Sequence, residues 1–94
     1  MIITDVKVRR LYLQGKMKAV VSVTFDHAFV IHDIRVLKGN QGLFVAMPSR
    51  RTLDGVFLDI AHPISAEARE ILQNAVLEAY QKAYDAEQKN CALA

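Results

Sequence analysis

The sequence has little cysteine and no long apolar run, and each shortage excludes a class of protein. Cys91 is the one cysteine among the 94 residues, so the chain can form no intrachain disulfide and no metal site built from several thiolates. No apolar run approaches the roughly 20 residues that a membrane-spanning helix needs, and the opening segment MIITDVKVRR lacks the charged-then-apolar order of a signal peptide. We therefore expect a protein of the reducing cytoplasm that has no membrane partner.

The sequence also lacks the motifs that accompany common catalytic sites. It contains no Gly-x-Ser-x-Gly segment, and its glycine-containing loop at 38–42 has no Gly-Lys-Ser/Thr of a phosphate loop. Asp59 and His62 could form an acid–base or metal pair, but two ligands do not make a zinc site. We interpret His62 as a histidine that Asp59 or a backbone carbonyl holds before Pro63. We predict no enzymatic activity, no catalytic or metal-binding residue, no cofactor and no small-molecule substrate.

The two remaining histidines, His27 and His32, are five residues apart. An odd spacing places two side chains on opposite faces of a continuous strand. They could therefore hold one metal ion together only if the turn predicted at Asp26-His27 bends the chain.

Hydrophobic residues make up 52% of the chain, a high fraction for so small a domain. Either the core is unusually apolar or part of the surface is buried against a second copy, and we favour the second copy.

The charges are also unevenly distributed. Residues 1–51 carry nine Lys/Arg and three Asp, a net of +6, whereas residues 52–94 carry three Lys/Arg and seven Asp/Glu, a net of −4. A polyanion would therefore meet the first half of the chain.

Alternating apolar residues predict an antiparallel sheet. Segments 3–13 and 16–25 form a hairpin whose register pairs Tyr12 with Met17, Val8 with Val21 and Val6 with Val23, which leaves Arg10 on the apolar face beside Ala19. Three further strands are predicted at 28–37, 43–47 and 56–60, with an Asp-Gly turn at 52–55 before the last.

The hydrophobic period changes from two to between three and four after Pro63. Ser65 is a good N-cap, and apolar residues recur from Ala68 to Ala83, which predicts one helix from about 65 to 86. The last residues, about 87–94, are predicted to be a frayed tail.

Arg50 and Arg51 follow the apolar run LFVAM and Pro48 directly. They could be a solvated loop beside acidic residues, or a contact for phosphate, which suits the planar fork of arginine. Other cations favour the second interpretation, because several are predicted to share a sheet face or lie one strand away. The predicted nucleic-acid-binding residues are Arg50, Arg51, Lys7, Arg9, Lys16, Lys18 and Lys38.

Three segments, HDIRV, GLFVAMPSRR and DIAHPI, resemble the SpoVG family of bacterial regulators in their order and spacing, and the resemblance covers about residues 2–80. It implies a small β-rich protein with a C-terminal helix that dimerises through its sheet. It also implies a site-preferring DNA- and RNA-binding regulator of gene expression, of the septation and sporulation type, without enzymatic activity. In that family the position of Leu58 is usually basic, so one cation near the arginine pair is missing here.

These observations predict an α+β domain over residues 1–94: an antiparallel β-sheet of about five strands followed by a C-terminal α-helix, dimerising through the sheet. We predict that the homodimer binds DNA, RNA or both through phosphate contacts of a basic patch. The alternative is a protein-interaction adaptor dimer that makes no direct contact with nucleic acid.

Overall fold

The computed structural model describes the backbone of residues 2–93 and the side chains of residues 2–87. The predicted α+β class is confirmed, since the described chain consists of strands followed by one C-terminal helix. The elements are β1 (Ile3–Leu11), β2 (Met17–Phe25), β3 (Phe29–Gly39), β4 (Gly42–Ala46), β5 (Ser49–Arg51), β6 (Phe57–Asp59) and α1 (Ala66–Leu93). Over residues 2–93 no helix has the length and apolar character needed to cross a membrane.

The first four strands form one antiparallel sheet in the order β1-β2-β3-β4. The centre of the β1–β2 ladder has the predicted register, which pairs Val6 with Val23 and Val8 with Val21. The turn predicted between β2 and β3 is also confirmed. Asp26 and His27 have φ angles of 52° and 53°, and the Ala28 amide donates to the Phe25 carbonyl at 2.9 Å. Two successive left-handed residues are the mark of a type I′ turn, whose twist matches that of the strands that it joins.

A β-bulge between Val8 and Arg10 corrects the prediction for the turn end of the first hairpin. The bulge shifts the register by one residue, so Arg10 lies on the exposed face of β1 and Leu11 packs against the core. The predicted placement of Arg10 on the apolar face and the pairing of Tyr12 with Met17 are therefore wrong. A uniform register would have buried a guanidinium without a partner, and one extra residue in β1 avoids that cost.

The core lies between one face of the sheet and α1. Strands β2 and β3 and the middle of α1 contribute its buried side chains, which are Ala19, Val21, Val23, Phe25, Ile34, Val36, Leu72, Val76 and Tyr80. Each large aliphatic side chain removed from water in this way stabilises the fold by about 1.5–3 kcal/mol. The packing fixes α1 on one face of the sheet and leaves the opposite face without a helix.

The helix begins as predicted and ends later. The Ala68 amide donates to the Ser65 hydroxyl at 3.0 Å, which confirms Ser65 as the N-cap. The predicted end near residue 86 is wrong, because the helix continues to Leu93 through a segment that contains no glycine or proline to stop it. The predicted frayed tail is thus helical as far as the structure describes it, and Ala94 lies outside the described residues.

Strands β5 and β6 form a separate two-stranded sheet, so the prediction of about five strands in one sheet needs correction. The main ladder ends at Ala46, and Pro48, which has no N–H to donate, follows before β5 begins. The turn predicted at 52–55 is confirmed by a hydrogen bond from the Gly55 amide to the Thr52 carbonyl at 3.0 Å. Gly55 has a φ of 82°, a conformation that glycine adopts without the cost of a side chain.

Candidate nucleic-acid interface

The sheet face opposite α1, here called the open face, carries most of the exposed cations of the first half of the chain. The register places Lys7 of β1 opposite Ser22, and it places Arg10 of β1 and Arg35 of β3 on either side of Val20 in β2. Cross-strand partners share a face, so these side chains all belong to the open face. Lys7 and Arg10 are exposed, whereas Arg35 is half-buried. The open face therefore presents a group of positive charges to solvent.

These cations are not neutralised by carboxylates of the described chain. Among the side chains of residues 2–87 the one ion pair joins Lys82 Nζ to Glu78 Oε1 at 3.2 Å, on the exposed side of α1. Asp5 of β1 shares the open face because it lies opposite Thr24, and Asp33 of β3 lines a depression with Val20 and Arg35, so these two carboxylates stand against the larger number of cations. The field of this face is consequently positive, as the uneven charge distribution of the sequence predicts.

Arg9 occupies the bulge in β1 and is held in place by Ser22. Its Nε donates to the Ser22 hydroxyl at 3.2 Å, and the same hydroxyl shares a hydrogen bond of 2.9 Å with Nδ1 of His32 on β3. Arg9, Lys7 and His32 line one depression in the open face. The structure thus brings together the predicted residues Lys7 and Arg9, and it adds a serine and a histidine.

The predicted lysines Lys16, Lys18 and Lys38 lie toward one end of the sheet. The Lys38 amide donates to the Lys16 carbonyl at 2.8 Å, so these two backbones are neighbours. Lys18 is half-buried on β2 beside a register shift between Met17 and Ala19. Lys38 alternates with Val36 on β3 and therefore shares its face, which is the face that α1 covers. Lys38 does not lie on the open face with Lys7 and Arg9.

Arg50 and Arg51 lie in strand β5 and not in the loop that one interpretation of the sequence offered. Both side chains are exposed, and the register pairs Arg50 with Leu58 and Arg51 with Phe57. Neighbouring residues of a strand project to opposite faces. Arg50 and Arg51 therefore project from opposite sides of the β5–β6 sheet, which the short Asp-Gly turn closes as a hairpin.

The two sides of the β5–β6 hairpin differ in their surroundings. The Arg51 side includes Asp59. Phe57 and Asp59 of this side line a groove of about 580 Å³ together with Arg35 of β3 and Arg69 of α1. The Arg50 side carries Leu58 and no acidic residue of either strand. Charge alone therefore favours Arg50 as the arginine that is free to meet an anion.

The positions of the three histidines bear on whether the described chain could hold a metal ion. His62 Nδ1 donates to the Pro63 carbonyl at 3.1 Å, which agrees with a histidine held by a backbone carbonyl. His27 and His32 line the same depression, which is the exception that the odd spacing left open for a bend at the predicted Asp26-His27 turn. The cause is the turn at Asp26-His27, together with a bulge in β3 where Asp33 has a φ of 62°. In the described part of the chain no three His, Cys, Asp or Glu residues are grouped to hold a metal ion.

Sequence reasoning missed Arg10, His32 and the face of Arg35 as parts of the open face, and it did not identify Ser22 as a site residue. The strand alternation carried a signal for Ser22, a polar residue within the apolar run AVVSV. Arg10 and His32 had no such signal, because the bulges that orient them change the alternation without a glycine or proline to mark the place.

Comparison with known proteins gives a consistent result over most of the chain. The SpoVG family model matches residues 1–82. Similar proteins include one from Heliobacterium modesticaldum, 68% identical over 83 residues, which cover 88% of this chain and 93% of the relative. Another, from Clostridium beijerinckii, is 62% identical over 85 residues, with 90% of this chain and 93% of the relative covered. Both carry the name "Putative septation protein SpoVG", which describes a septation protein and not an enzyme. This chain belongs to the SpoVG family.

Proposed function

We propose that this protein binds DNA or RNA through phosphate contacts on the open face and on the Arg50 side of the β5–β6 hairpin, and that it regulates gene expression by doing so. The observation that carries the proposal is the group of exposed cations without carboxylate partners on the open face. Septation, which the names of the relatives mention, is the process in which we expect the regulation to act.

The proposal has a quantitative consequence for the salt dependence of binding. Lys7, Arg9, Arg10, Arg35 and Arg50 could each neutralise one phosphate. Each neutralised phosphate changes the slope of log K against log salt by about −0.9 on duplex DNA and about −0.7 on a single strand. The five together set a limit of about −4.5 for a duplex and about −3.5 for a single strand.

An aromatic side chain gives the open face a second way to hold a single strand. Phe44 of β4 lies opposite Leu37, which alternates with Arg35, and its side chain is 44% exposed. A base can stack on such a ring without regard to its sequence, which contributes about 1–3 kcal/mol per base. Stacking would add affinity that salt does not remove.

The test is a fluorescence-anisotropy titration of the purified protein with DNA and RNA of matched sequence between about 50 and 300 mM salt. We expect saturable binding with a slope between about −2 and −4.5. Lys82→Ala serves as the matched control, because Lys82 is already paired with Glu78 on the helix, and it should leave the slope unchanged. Absence of binding to both polymers, or binding that does not change with salt, would contradict the proposal.

We also propose that the protein acts as a homodimer that forms through the sheet. β4 is an edge strand of the main sheet, and its Leu43 and Phe44 are 37% and 44% exposed. An exposed edge with apolar side chains is a template for pairing with another strand. Sedimentation velocity at micromolar concentration should give about twice the 10.5 kDa mass of the chain, and a monomer at every concentration would contradict the dimer.

One observation favours a second candidate function, that of an adaptor that binds a partner protein. Apolar side chains are exposed on and after the hairpin, including Phe57 at 68%, Ile60 at 67% and Ile64 at 92%. Clusters of this kind mark protein-interaction surfaces. The adaptor predicts little dependence on salt and a loss of partner binding in Ile64→Asp, whereas nucleic-acid binding should tolerate that change.

A further inference from the structure

Ser22 is the one buried polar side chain among the residues whose side chains the structure describes, with 4% exposure. It lies on β2, between β1 and β3, in the centre of the open face. Its hydroxyl accepts from Arg9 Nε at 3.2 Å and shares a hydrogen bond of 2.9 Å with His32 Nδ1. A buried hydroxyl with two partners fixes the positions of both, so Ser22 holds a guanidinium and an imidazole beside each other.

Both partners of Ser22 stand at bulges in the neighbouring strands. The β1 register shifts between Val8 and Arg10, at Arg9 itself. The β3 register shifts opposite Ser22, where His32 is followed by Asp33 with a φ of 62°. A non-glycine residue in the left-handed region costs free energy, and β-bulges frequently direct a side chain toward a functional site. Two bulges thus aim Arg9 and His32 at one point.

The resulting depression has a volume of about 350 Å³ and is open to solvent. Its charged and titratable lining comes from β1, from the turn after β2 and from β3, and consists of Asp5, Lys7, Arg9, His27 and His32. Ser22 and Thr24 are the lining residues of β2, and neither is charged. Within residues 2–87 the terminal nitrogens of Arg9 and the Lys7 ammonium have no hydrogen-bond partner or ion pair. They are free to donate to an anion.

We propose that this depression seats one phosphodiester group of the bound nucleic acid, and that protonated His32 is one of its ligands. The inference rests on the proposed function and adds to it a defined phosphate site and a dependence on pH. Arg9 offers its fork to the phosphate oxygens, Lys7 supplies a point charge, and Ser22 is a positioning residue that acts through Arg9 and His32.

The hydrogen-bond network is compatible with both charge states of the imidazole. With neutral His32, the Ser22 hydroxyl donates to Nδ1 while it accepts from Arg9 Nε. With protonated His32, Nδ1 donates, and the hydroxyl oxygen can accept from both neighbours because it has two lone pairs. Protonation therefore adds a charge and keeps the geometry. The charged and titratable groups around His32 are Asp5, Lys7 and Arg9 of β1 and His27 of the turn, with Asp33 next to it along β3. A phosphate bound beside the imidazole favours its protonated form, so binding and proton uptake are coupled.

The test compares affinity for a fluorescein-labelled duplex at pH 5.5 and pH 8.0 at fixed ionic strength. Histidine is the side chain that ordinarily titrates in this range. The wild type should bind about 3- to 10-fold more tightly at pH 5.5, and its salt slope should become steeper by about 0.9. His32→Gln, which can keep a hydrogen bond to Ser22, should remove both effects, and His62→Gln should keep them.

Arg9→Lys and Ser22→Ala test the positioning. Arg9→Lys keeps the charge but loses the Nε donor, so it should weaken binding at both pH values with the protein still folded by circular dichroism. Ser22→Ala should reduce the gain at pH 5.5 without removing a charge. Loss of the pH effect in His27→Gln, but not in His32→Gln, would overturn the assignment to His32.

The failure of this inference can be told apart from the failure of the proposed function. Salt-dependent binding of equal strength at pH 5.5 and 8.0 would overturn the phosphate site at His32 and leave nucleic-acid binding standing. No binding at either pH would overturn both. A wild-type pH effect should also be visible by NMR, because the His32 ring signals should move toward their protonated positions when DNA is added at pH 6.5.

Discussion

Replacing Arg50 and Arg51 one at a time tests whether these two arginines bind from a strand, where one of them meets the phosphate backbone, or from a flexible loop, where both do. In β5 the two side chains project to opposite faces of the hairpin, so one phosphate backbone can meet only one of them. The Arg51 side shares its face with Asp59, whereas the Arg50 side has no acidic residue of β5 or β6. Arg50 is therefore the expected contact.

The magnitude follows from counting phosphates. Arg50→Ala should flatten the salt slope by about 0.9 on duplex DNA, Arg51→Ala by less than about 0.3, and the double variant by about 0.9 again. A mobile loop in which both arginines reach the backbone would instead give about 0.9 for each single variant and about 1.8 for the double.

The assay is the anisotropy titration at four or more salt concentrations, with circular dichroism to show that each variant is folded. Arg51 needs this check, because its Nη2 lies 3.5 Å from the position that a Cβ on Gly55 would take, so its side chain packs over the turn. Additive slope changes in folded variants would refute the assignment of opposite faces. A large effect of Arg51→Ala alone would refute the assignment to Arg50.

Three further predictions test the core, the helix and the hairpin. Ile34 is fully buried, so Ile34→Ala should lower the free energy of unfolding by about 2–5 kcal/mol in urea melts. Leu53 is exposed, so Leu53→Ala should change that free energy by less than about 0.5 kcal/mol. Equal effects of the two substitutions would contradict the described core. Burial, with Tyr84 adding to it, raises the pKa of Tyr80 above its usual value of 10.0. The folded state therefore holds this proton more tightly than the unfolded chain, and stability present below about pH 10 is lost as the pH rises further. Tyr80→Phe should be less sensitive to alkaline unfolding than the wild type, and identical pH profiles would contradict burial as the cause. Leu58 lies opposite Arg50, so Leu58→Lys should steepen the salt slope by about 0.9 on duplex DNA, and an unchanged slope would place this side of the hairpin away from the ligand.

The sequence predicted the parts of the fold that follow from regular alternation. The pairing of Val6 with Val23 and Val8 with Val21 follows because any slip would expose the apolar face of β2. The N-cap at Ser65 and the turn at Asp26-His27 follow from local chemistry. These features depend on residues that are close in sequence or directly paired.

The parts that escaped prediction depend on tertiary context. The bulges at Arg9 and Asp33 add one residue to a strand, and their cost is offset only by packing and hydrogen bonds that form in the complete sheet. The separation of β5–β6 from the main sheet likewise depends on where the chain leaves β4 at Pro48. The candidate site was therefore predicted in its charge but not in its geometry, since Ser22 and His32 become neighbours of Arg9 only through those bulges.

The central claim, that the open face meets the phosphate backbone, is tested most directly by the salt slope of a variant in which two of its cations are removed. Lys7 and Arg10 are both exposed on β1 and make no ion pair within residues 2–87. The double variant Lys7→Ala/Arg10→Ala should flatten the slope by about 1.8 on duplex DNA relative to both the wild type and Lys82→Ala. A folded double variant whose slope and affinity match those of the wild type would contradict the account.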